Sequence, residues 1–410
     1  MQLPKVAYIL LWFPKASETF IFREVINLWK WDLDLTVYTL YGELNDSLSS
    51  EMLAISHKVI RLGIPYLKRA PADLQYWRKR SPDMTSWLFR TIPWRKWRSL
   101  EVAGENIWAF FAGFTMARLF EERGIEHIHA PWANGPATAA WVASKLTGIP
   151  FSFMGRAVDI YPPDGALPEK IRDAVFVRTN PAVNVEYLRQ FAGNDTDKIH
   201  LSYDGYPLKE FVEAPVPMNP PFRILSLGRF ARFKGLEVLL RAAKIIDEAG
   251  LDFHLIVAGS GSRGVKLKVM CKMLGLDHRV SWPGFITHDK VPEMFFSSDV
   301  FVVPSVIHST GERDGIPNVV VEALLNRVPV VATDVAGIGE VIRDGETGFL
   351  VPSRDPDALA QAILRMTGNR QAAVEMADRG RELIMDMFDP EKCHREMLEL
   401  FEKYTPERYT

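Results

Sequence analysis

The segment from Gly228 to Gly235 contains the residue types that hold a diphosphate. It follows a predicted strand, Phe222 to Leu227, and opens a predicted helix, which is where ligands bind in open α/β sheets. Arg229 and Lys234 supply fixed positive charges, and the glycines at both ends let the backbone approach closely. These features suit a diphosphate bound without a metal ion. The alternative interpretation is a solvated basic turn.

Two carboxylates and a set of backbone groups occur in the segment from Asp314 to Glu322. Pro317 fits the first turn of a helix, which would place Asp314 in the preceding loop and Glu322 one to two turns inside. Glu322 could then accept two hydrogen bonds from a ribose diol; alternatively, it is an ordinary polar residue of a helix face. The backbone of four loop residues is expected to face a bound sugar and phosphate: Gly315, Ile316, Pro317 and Asn318.

A third loop, Thr333 to Glu340, also follows a predicted strand and precedes a helix. Its Gly337 and Gly339 would again permit close approach of the backbone to an anion. A lone Gly-x-Gly is weak evidence, but all three loops are expected at one edge of one sheet. Together they predict a single binding site.

Short apolar runs alternate with helical patterns along the whole chain, which is typical of βαβ units and parallel sheets. The predicted strands of the first half are Val6 to Leu11, Leu35 to Tyr38, His127 to Ala130 and Phe151 to Phe153. Those of the second half are Phe222 to Leu227, Phe253 to Ala258, Val280 to Trp282, Val300 to Val303 and Val328 to Ala332.

The chain has 410 residues, which favours two domains. Five prolines between residues 206 and 222 interrupt any helix or central strand, so this segment is the predicted linker. We therefore predict a first domain over 1–205 and a second over 223–388. A final helix within 389–410 is expected to pack back on the first domain.

Composition excludes several classes of protein. With 47% hydrophobic and 24% charged residues the chain resembles a soluble globular protein, and its formal net charge of -2 argues against nucleic-acid binding. Cys271 and Cys393 are too few for a disulfide framework or a zinc site. We expect no signal peptide, no transmembrane helix at Ile107 to Phe120 and a cytoplasmic location.

The second half resembles the donor domain of GT-B glycosyltransferases, specifically retaining glycosyltransferase family 4. The resemblance runs from about Arg223 to Arg365 and implies two Rossmann-like domains with a cleft between them. It is carried by these segments: Gly228 to Gly235, Gly259 to Gly261, Pro283 to Phe285, Asp314 to Glu322, Val330 to Thr333 and Gly345 to Val351.

The resemblance also implies roles for individual residues. Arg229 and Lys234 would bind the donor diphosphate, Glu322 the nucleotide ribose, and the loop around Phe285 the base. Asp314, where the family usually has glutamate, would lie near the transferred sugar as a catalytic residue. The implied donor-binding residues are Gly228, Arg229, Lys234, Gly261, Phe285, Gly315, Ile316, Pro317, Asn318 and Glu322. The implied reaction retains configuration and needs neither a cofactor nor a divalent metal.

The first half resembles a narrower branch of that family, associated with surface and exopolysaccharide synthesis. The segments Phe13 to Ile21, His129 to Thr138 and Phe151 to Asp159 carry this resemblance. Ser17 is a predicted helix N-cap, on the acceptor side together with Thr19, His129 and Asp159. Glu18, assigned to catalysis, and Thr19 would be available to an acceptor hydroxyl; simple helix capping is the alternative.

Arg156 stands where many relatives have a histidine. An arginine cannot act as a neutral base, but it could stabilise leaving phosphate charge or contact an anionic acceptor. We therefore include Arg156 among the catalytic candidates. His129 is the other polar candidate nearby, with a buried structural histidine as the alternative.

Tryptophans and cations are interleaved between residues 66 and 98, with only two acidic residues among them. This composition suits the headgroup layer of an anionic membrane, although nucleic acid would favour the same pattern. A solvated helical face with inward tryptophans is the alternative. We expect a peripheral contact with the inner face of the plasma membrane.

These features predict a glycosyltransferase that moves a sugar from a UDP- or GDP-sugar to a saccharide or lipid-linked acceptor. Surface polysaccharide, exopolysaccharide or lipopolysaccharide biosynthesis is the expected setting. A nucleotide-sugar epimerase, a phosphorolytic enzyme or a non-catalytic nucleotide-sugar-binding protein of the same fold are the alternatives.

Overall fold

A computed structural model describes residues 3–44, 48–66, 68–97, 99–161, 163–206 and 220–405. The chain divides into two compact units. The first comprises residues 1–206 and 390–410, and the second comprises residues 207–389. Most of the predicted linker, residues 207–219, lies outside the described residues.

The first unit is built on a parallel sheet. Its strands are β1 (Val6–Leu10), β2 (Leu35–Thr39), β3 (Ile60–Arg61), β4 (His127–Ala130), β5 (Phe151–Gly155), β6 (Phe176–Thr179) and β7 (Ile199–Leu201), in the order β3-β2-β1-β4-β5-β6-β7. Its first ten helices are α1 (Thr19–Lys30), α2 (Ser50–Ile55), α3 (Gly63–Tyr66), α4 (Ala70–Arg80), α5 (Pro82–Thr91), α6 (Leu100–Arg123), α7 (Gly135–Thr147), α8 (Ala157–Ile160), α9 (Leu167–Asp173) and α10 (Ala182–Arg189).

The second unit contains a second parallel sheet. Its strands are β8 (Phe222–Leu227), β9 (Phe253–Ala258), β10 (Val280–Gly284), β11 (Val300–Val303), β12 (Val330–Thr333) and β13 (Phe349–Val351), in the order β10-β9-β8-β11-β12-β13. Its helices are α11 (Leu236–Glu248), α12 (Gly264–Met273), α13 (Val291–Phe296), α14 (Asn318–Leu325), α15 (Ile338–Val341), α16 (Pro356–Gly368) and α17 (Arg370–Met387).

The last helix, α18 (Pro390–Tyr404), belongs to the first unit. Its Met397 and Phe401 are fully buried and pack in the same core cluster as Val6 and Phe176. Residues 406–410 lie outside the described residues. Helix α18 thus completes one of the cores of the first unit.

Several interior strands of the two sheets are buried along their whole length. All residues of β1, β4, β11 and β12 are buried, as expected for parallel strands covered by helices on both faces.

Helix α6 begins at an N-cap, Ser99, whose side chain accepts a hydrogen bond from the Val102 amide, and ends at Gly124 in the left-handed conformation. None of the helices in the described ranges is long and apolar enough to cross a bilayer.

The strand order reverses between β8 and β11 in the second unit. From β8 the chain moves outward to β9 and β10, and then returns to the other side of β8 as β11. Such a reversal opens a crevice at the carboxyl ends of the two strands, where ligands bind in α/β sheets. The sequence prediction of two parallel α/β units is confirmed.

Candidate functional site

The loop after β8 brings Lys234 back to the backbone of Gly228. A short 3₁₀ turn over Arg232–Lys234 is followed by Gly235, which has a φ of 61° and precedes α11. A Cβ atom built on Gly228 would lie 3.7 Å from Cε and 4.0 Å from Nζ of Lys234. The ammonium group is therefore beside the backbone at the carboxyl end of β8.

Gly235 fixes this turn against the end of β11. A Cβ atom at Gly235 would lie 1.8 Å from the carbonyl oxygen of Pro304, far inside any permitted contact. The amide of Val306 donates a hydrogen bond to the carbonyl of Phe233 at 2.8 Å. Only glycine allows both the left-handed backbone and this close approach.

Arg229 and Lys234 both approach one aromatic ring. The Arg229 Cζ and the Lys234 Nζ lie 5.5 Å and 5.6 Å from the ring centroid of Phe233, which is itself buried. Arg229 is exposed and has no carboxylate partner among the residues that the structure describes. The structure therefore brings the two predicted cations together at the β8 end.

Asp314 reaches the same point from the loop between β11 and α14. Its Oδ1 accepts a hydrogen bond from Lys234 Nζ at 2.9 Å, and its Oδ2 accepts one from Ser305 Oγ at 2.6 Å. Thr333 Oγ1 donates to the Ser305 carbonyl at 2.6 Å. This network joins the ends of β8, β11 and β12, and Asp314 is only 8% exposed. Both of its oxygens are engaged, so Asp314 orients Lys234 in this structure.

A small pocket lies at the reversal point between β8 and β11. Its walls come from the ends of these two strands, the glycine loop and the start of α14. The lining residues are Ser226, Leu227, Gly228, Arg229, Lys234, Leu236, Val302, Val303, Pro304, Ser305 and Val319. Two cations and the Gly228 backbone therefore surround one crevice.

Helix α14 starts one residue later than the sequence suggested. Pro317 has a ψ of 129° and is the N-cap, so the first helical residue is Asn318 and the prediction of Pro317 in the first turn is wrong. Gly315 and Ile316 are half-buried in the preceding loop. Glu322 is buried one turn inside the helix, which excludes the alternative of an ordinary exposed face residue.

The loop after β9 packs onto the loop after β8, and the end of β10 pairs with the loop after β9. The Phe230 amide donates to the Ser260 carbonyl at 2.7 Å, and a Cβ atom on Gly261 would lie 2.7 Å from the Phe230 carbonyl oxygen. The Gly259 amide donates to the Gly284 carbonyl at 2.7 Å. Phe285, which follows, is 63% exposed. The loops that the sequence predicts to bind the donor therefore lie next to one another in space.

The amino-acid sequence of residues 209–383 matches the family model of glycosyl transferases group 1. The second unit carries a glycosyltransferase group 1 domain. The Escherichia coli (strain K12) protein WcaL, named as a colanic acid biosynthesis glycosyltransferase, is 31% identical over 215 residues, which cover 52% of this chain and 53% of WcaL. The chain thus spans about half the length of the curated relatives it matches.

Two solved structures share the fold of the whole chain. A glycosyltransferase from Rickettsia africae ESF-5 has a TM-score of 0.73 at 16% identity and covers 100% of both chains. Anabaena Alr3699/HepE, in complex with UDP and glucose, has a TM-score of 0.70 at 16% identity and covers 97% of this chain and 99% of its own. The chain has the GT-B fold that the sequence predicted.

Outside the group 1 domain, Arg156 is engaged by a carboxylate. Its Nη1 and Nη2 donate to the two oxygens of Asp204 at 2.6 Å and 3.0 Å, and its guanidinium carbon lies 4.4 Å from the Phe20 ring centroid. Burial opposes the charged form, but the Asp204 carboxylate raises the pKa of Arg156 above its ordinary value. Because the Asp204 carboxylate already compensates the charge of Arg156, the structure does not favour a contact between Arg156 and a phosphate.

Asp159 lies next to Arg156 in the first unit and is also buried. Its carboxylate accepts hydrogen bonds from the backbone amides of Ala133 and Arg156, each at 2.6 Å. Burial raises the pKa of this carboxyl to about 7, against the lowering effect of the two amides. The hydrogen bonds tie the ends of β4 and β5 together, which is a structural role.

His129 does not lie on an accessible acceptor side. The residue is fully buried, its Nδ1 lies 2.8 Å from Ser152 Oγ, and its ring packs edge-on against Phe401 of α18. Burial lowers the pKa of His129 well below its ordinary value. The structure therefore favours the alternative, a neutral structural histidine.

The loop after β1 differs from its prediction in one respect. The N-cap of α1 is Glu18 rather than Ser17, and no side chain caps the helix. Glu18 instead accepts a hydrogen bond from Lys15 at 2.6 Å. Ser17 is exposed and Thr19 is half-buried, so both hydroxyls remain near the surface at the carboxyl end of β1.

The tryptophan-rich segment 66–98, described without residues 67 and 98, has both inward and outward members. Trp77 is fully buried and donates to the Phe114 carbonyl at 3.0 Å. Trp87 is 40% exposed and Trp94 is 82% exposed. Arg80 and Arg95 pair with Glu121 and Glu169 outside the segment, at 3.0 Å and 2.5 Å. Part of its charge is therefore compensated.

Sequence reasoning missed three functional partners. Ser305 and Thr333 complete the Asp314 network, and Asp204 compensates Arg156. Ser305 stands directly after a predicted strand that ends at the same edge as the glycine loop, and this position was a usable signal. Asp204 carried no comparable signal, because its partner is 48 residues away in the chain.

Proposed function

We propose that this protein is a glycosyltransferase that transfers a sugar from a UDP- or GDP-sugar to a saccharide or lipid-linked acceptor, with retention of configuration. The group 1 domain and the similarity to WcaL support this activity. The name of WcaL also supports a role in the biosynthesis of an exopolysaccharide or another surface polysaccharide.

One observation carries the proposal. Arg229 and Lys234 both lie within 5.6 Å of the buried Phe233 ring centroid, and Lys234 lies beside the backbone of Gly228, at the strand reversal of the group 1 domain. Two cations and a close backbone suit a diphosphate, which carries several acceptor oxygens and at least two negative charges.

Other donor contacts follow from the positions of the remaining loops. Buried Glu322 would bind the ribose hydroxyls, and exposed Phe285 would contact the base. The backbone from Gly315 to Asn318, just before α14, would orient the sugar and phosphate. The structure of HepE, which has the same fold and contains UDP and glucose, supports the proposal that this fold can bind such ligands.

In the proposed reaction, the bond between the anomeric carbon and the diphosphate breaks as the acceptor oxygen bonds to that carbon. Arg229 and Lys234 would neutralise the charge that develops on the leaving diphosphate. An oxygen of that diphosphate would take the proton of the acceptor hydroxyl, so no neutral histidine is needed. Fixed cations would replace a divalent metal ion.

The acceptor would meet the first unit at the carboxyl end of β1. Glu18, Ser17 and Thr19 lie there with side chains that are exposed or half-buried, so an acceptor hydroxyl can reach them. Arg156 would act indirectly in this proposal, by holding Phe20 and Trp132 near this loop through its 4.4 Å and 5.6 Å contacts.

We also propose a peripheral contact with the inner, cytoplasmic face of the plasma membrane. Trp94 and Leu100 are 82% and 93% exposed, and they lie near Arg95 and Lys96 in the chain. Exposed apolar side chains beside cations suit an anionic membrane surface. A lipid-linked acceptor would be presented there.

A donor screen tests the proposed activity. Thermal unfolding would be followed with UDP-, GDP- and ADP-sugars in the presence of EDTA, because a bound ligand stabilises the fold. At least one nucleotide sugar is expected to raise Tm and then to be consumed only when a saccharide acceptor is added. An epimerised sugar formed without acceptor would instead identify an epimerase, and no shift with any donor would contradict the proposal.

A further inference from the structure

A large basic pocket adjoins the Arg232–Lys234 turn and has a different lining from the proposed donor crevice. Its volume is about 1110 Å³, including space open to solvent. The lining residues are Arg232, Gly235, Glu237, Val238, Arg241, Arg263, Lys266, Val306, His308, Arg354 and Pro356. We call this region the basic pocket.

Contacts between two chain segments separate the basic pocket from the donor crevice. Lys234 lines the crevice, whereas Arg232 and Gly235 line the pocket. Gly235 touches the Pro304 carbonyl, and the Val306 amide bonds to Phe233. These contacts form a wall between the two concavities.

The charge of the basic pocket is strongly unbalanced. Five of its lining residues are cations, and Glu237 is the single carboxylate among them. Glu237 is already paired with Arg263 at 2.6 Å. The other four cations have no carboxylate partner within the described ranges: Arg232, Arg241, Lys266 and Arg354.

Arg354 is held in place by a backbone carbonyl, and Arg263 keeps one donor without a partner. Arg354 has a φ of 65° and donates from Nη2 to the carbonyl of Ile307, which directs its side chain towards the loop after β11. Arg263 Nε is buried and has no hydrogen-bond partner in the described structure. A buried unpaired donor of this kind is costly unless a ligand satisfies it.

Three helices also begin at the basic pocket. Gly235, Arg263 and Pro356 stand at the N-termini of α11, α12 and α16, which have 13, 10 and 13 residues. Each helix N-terminus carries partial positive charge and unpaired N–H groups. Asp355 caps α16 by accepting a hydrogen bond from the Ala358 amide at 2.9 Å. Helices α11 and α12 therefore contribute more partial positive charge to the pocket than α16 does.

We propose that the basic pocket binds a diphosphate group at a second site, separate from the donor crevice. The lining has many donors and almost no acceptors, which suits a ligand dense in anionic oxygens. Four of its five cations are arginines, whose planar guanidinium groups bind phosphate oxygens in pairs. No phenylalanine, tyrosine or tryptophan lines the pocket, and the one ring present, the His308 imidazole, bonds to Thr310 through Nδ1, so the diphosphate itself is the recognised group.

Calorimetry with inorganic pyrophosphate tests this second site. The variant Arg241→Gln/Lys266→Gln removes two exposed pocket cations, and its affinity for pyrophosphate is expected to fall about tenfold or more. The matched control Lys268→Gln/Lys272→Gln removes the same charge from α12 outside the pocket and should bind as the wild type does. Equal affinity in the pocket variant and the control would overturn the proposal.

Two further arms separate this site from the donor site and identify the source of the diphosphate. Lys234→Ala should retain the pyrophosphate binding that Arg241→Gln/Lys266→Gln loses, whether or not a nucleotide binds in the donor crevice. Farnesyl diphosphate binding about tenfold tighter than pyrophosphate would indicate a lipid-linked source, and equal affinity a free one. Binding of a glucuronate oligosaccharide but not of pyrophosphate would overturn the proposal.

Discussion

The Nζ atom of Lys234 lies 2.9 Å from Oδ1 of Asp314, 80 residues further along the chain. This ion pair is mostly buried, and Ser305 holds the second carboxylate oxygen. Asp314 therefore limits the orientations that the Lys234 ammonium can adopt. A fixed cation stabilises developing charge better than a mobile one, because it needs no reorganisation during the reaction.

Removing the Asp314 carboxylate tests this positioning role. Asp314→Ala is expected to lower kcat about tenfold, because Lys234 loses its orientation. The Kd for UDP should stay within about threefold, because the cation itself remains. Steady-state kinetics and calorimetry measure the two quantities. Asp314→Glu should recover part of kcat, and an unchanged kcat in Asp314→Ala would show that the ion pair does not position Lys234.

Gly235→Ala tests the contact between the glycine turn and β11. The new Cβ atom would lie 1.8 Å from the Pro304 carbonyl oxygen in a backbone with a φ of 61°. We expect a loss of about 3 kcal/mol in the free energy of unfolding, from overlap and left-handed strain together. The matched control is Gly250→Ala, at the other end of α11, which has a φ of 82° and open space around its Cβ position.

The control should lose only about 1 kcal/mol, the cost of the left-handed backbone alone. Scanning calorimetry of both variants measures the difference. Equal losses in the two variants would mean that the turn can move away from Pro304.

Acid should destabilise the first unit through His127. Burial lowers the pKa of His127 to about 3, so between pH 6.5 and about pH 3 the unfolded chain binds a proton that the folded chain does not. The free energy of unfolding therefore falls as pH falls through that window, by up to about 1.4 kcal/mol per pH unit. Buried Asp159, with a pKa near 7, acts in the opposite direction.

Comparison with His127→Gln isolates the histidine, because the Asp159 contribution is common to both proteins. The variant should lose less stability than the wild type between pH 6.5 and pH 5, and His57→Gln, which replaces an exposed histidine, should follow the wild type. Urea unfolding by tryptophan fluorescence suits this test, since every tryptophan except Trp282 lies in the first unit. Parallel pH curves for the wild type and His127→Gln would rule out the assigned cause.

Exposed apolar side chains in the first unit should bind anionic vesicles. Trp94→Ser/Leu100→Ser is expected to weaken cosedimentation with phosphatidylglycerol-containing vesicles at least tenfold, because about 25 cal/mol is lost for each Å² of apolar surface no longer buried. Val265→Ser/Met273→Ser, which changes two exposed apolar residues of the second unit, is the control. Equal loss in both variants would point to general surface hydrophobicity.

Much of the fold was predictable because the central strands are short, mostly apolar segments between helical patterns. Phe222–Leu227, Phe253–Ala258, Val300–Val303 and His127–Ala130 have the bounds that the sequence predicted. The missed strands are short and lie towards or at the sheet edges: Ile60–Arg61, Phe176–Thr179, Ile199–Leu201 and Phe349–Val351. Three of these four strands have only two or three residues, which is too few for a residue pattern to stand out from loops.

The candidate site was predictable where its residues follow strands directly. Arg229 and Lys234 come together because one glycine-bounded turn holds both. For His129 the sequence left a buried structural histidine open as the alternative, and the choice could not be made from local pattern because its ring packs against α18, more than 250 residues later in the chain. The compensation of Arg156 by Asp204 likewise depends on tertiary packing and not on local pattern.

The central claim is that Arg229 and Lys234 hold a nucleotide diphosphate without a divalent metal. Calorimetric titration of UDP and of GDP in the presence of EDTA tests it most directly, with Lys234→Ala and the control Lys244→Ala on α11. The wild type and the control should bind at least one nucleotide with equal affinity, and Lys234→Ala should bind it at least about tenfold more weakly. Full affinity in Lys234→Ala, or no binding by the wild type until magnesium is added, would contradict the claim.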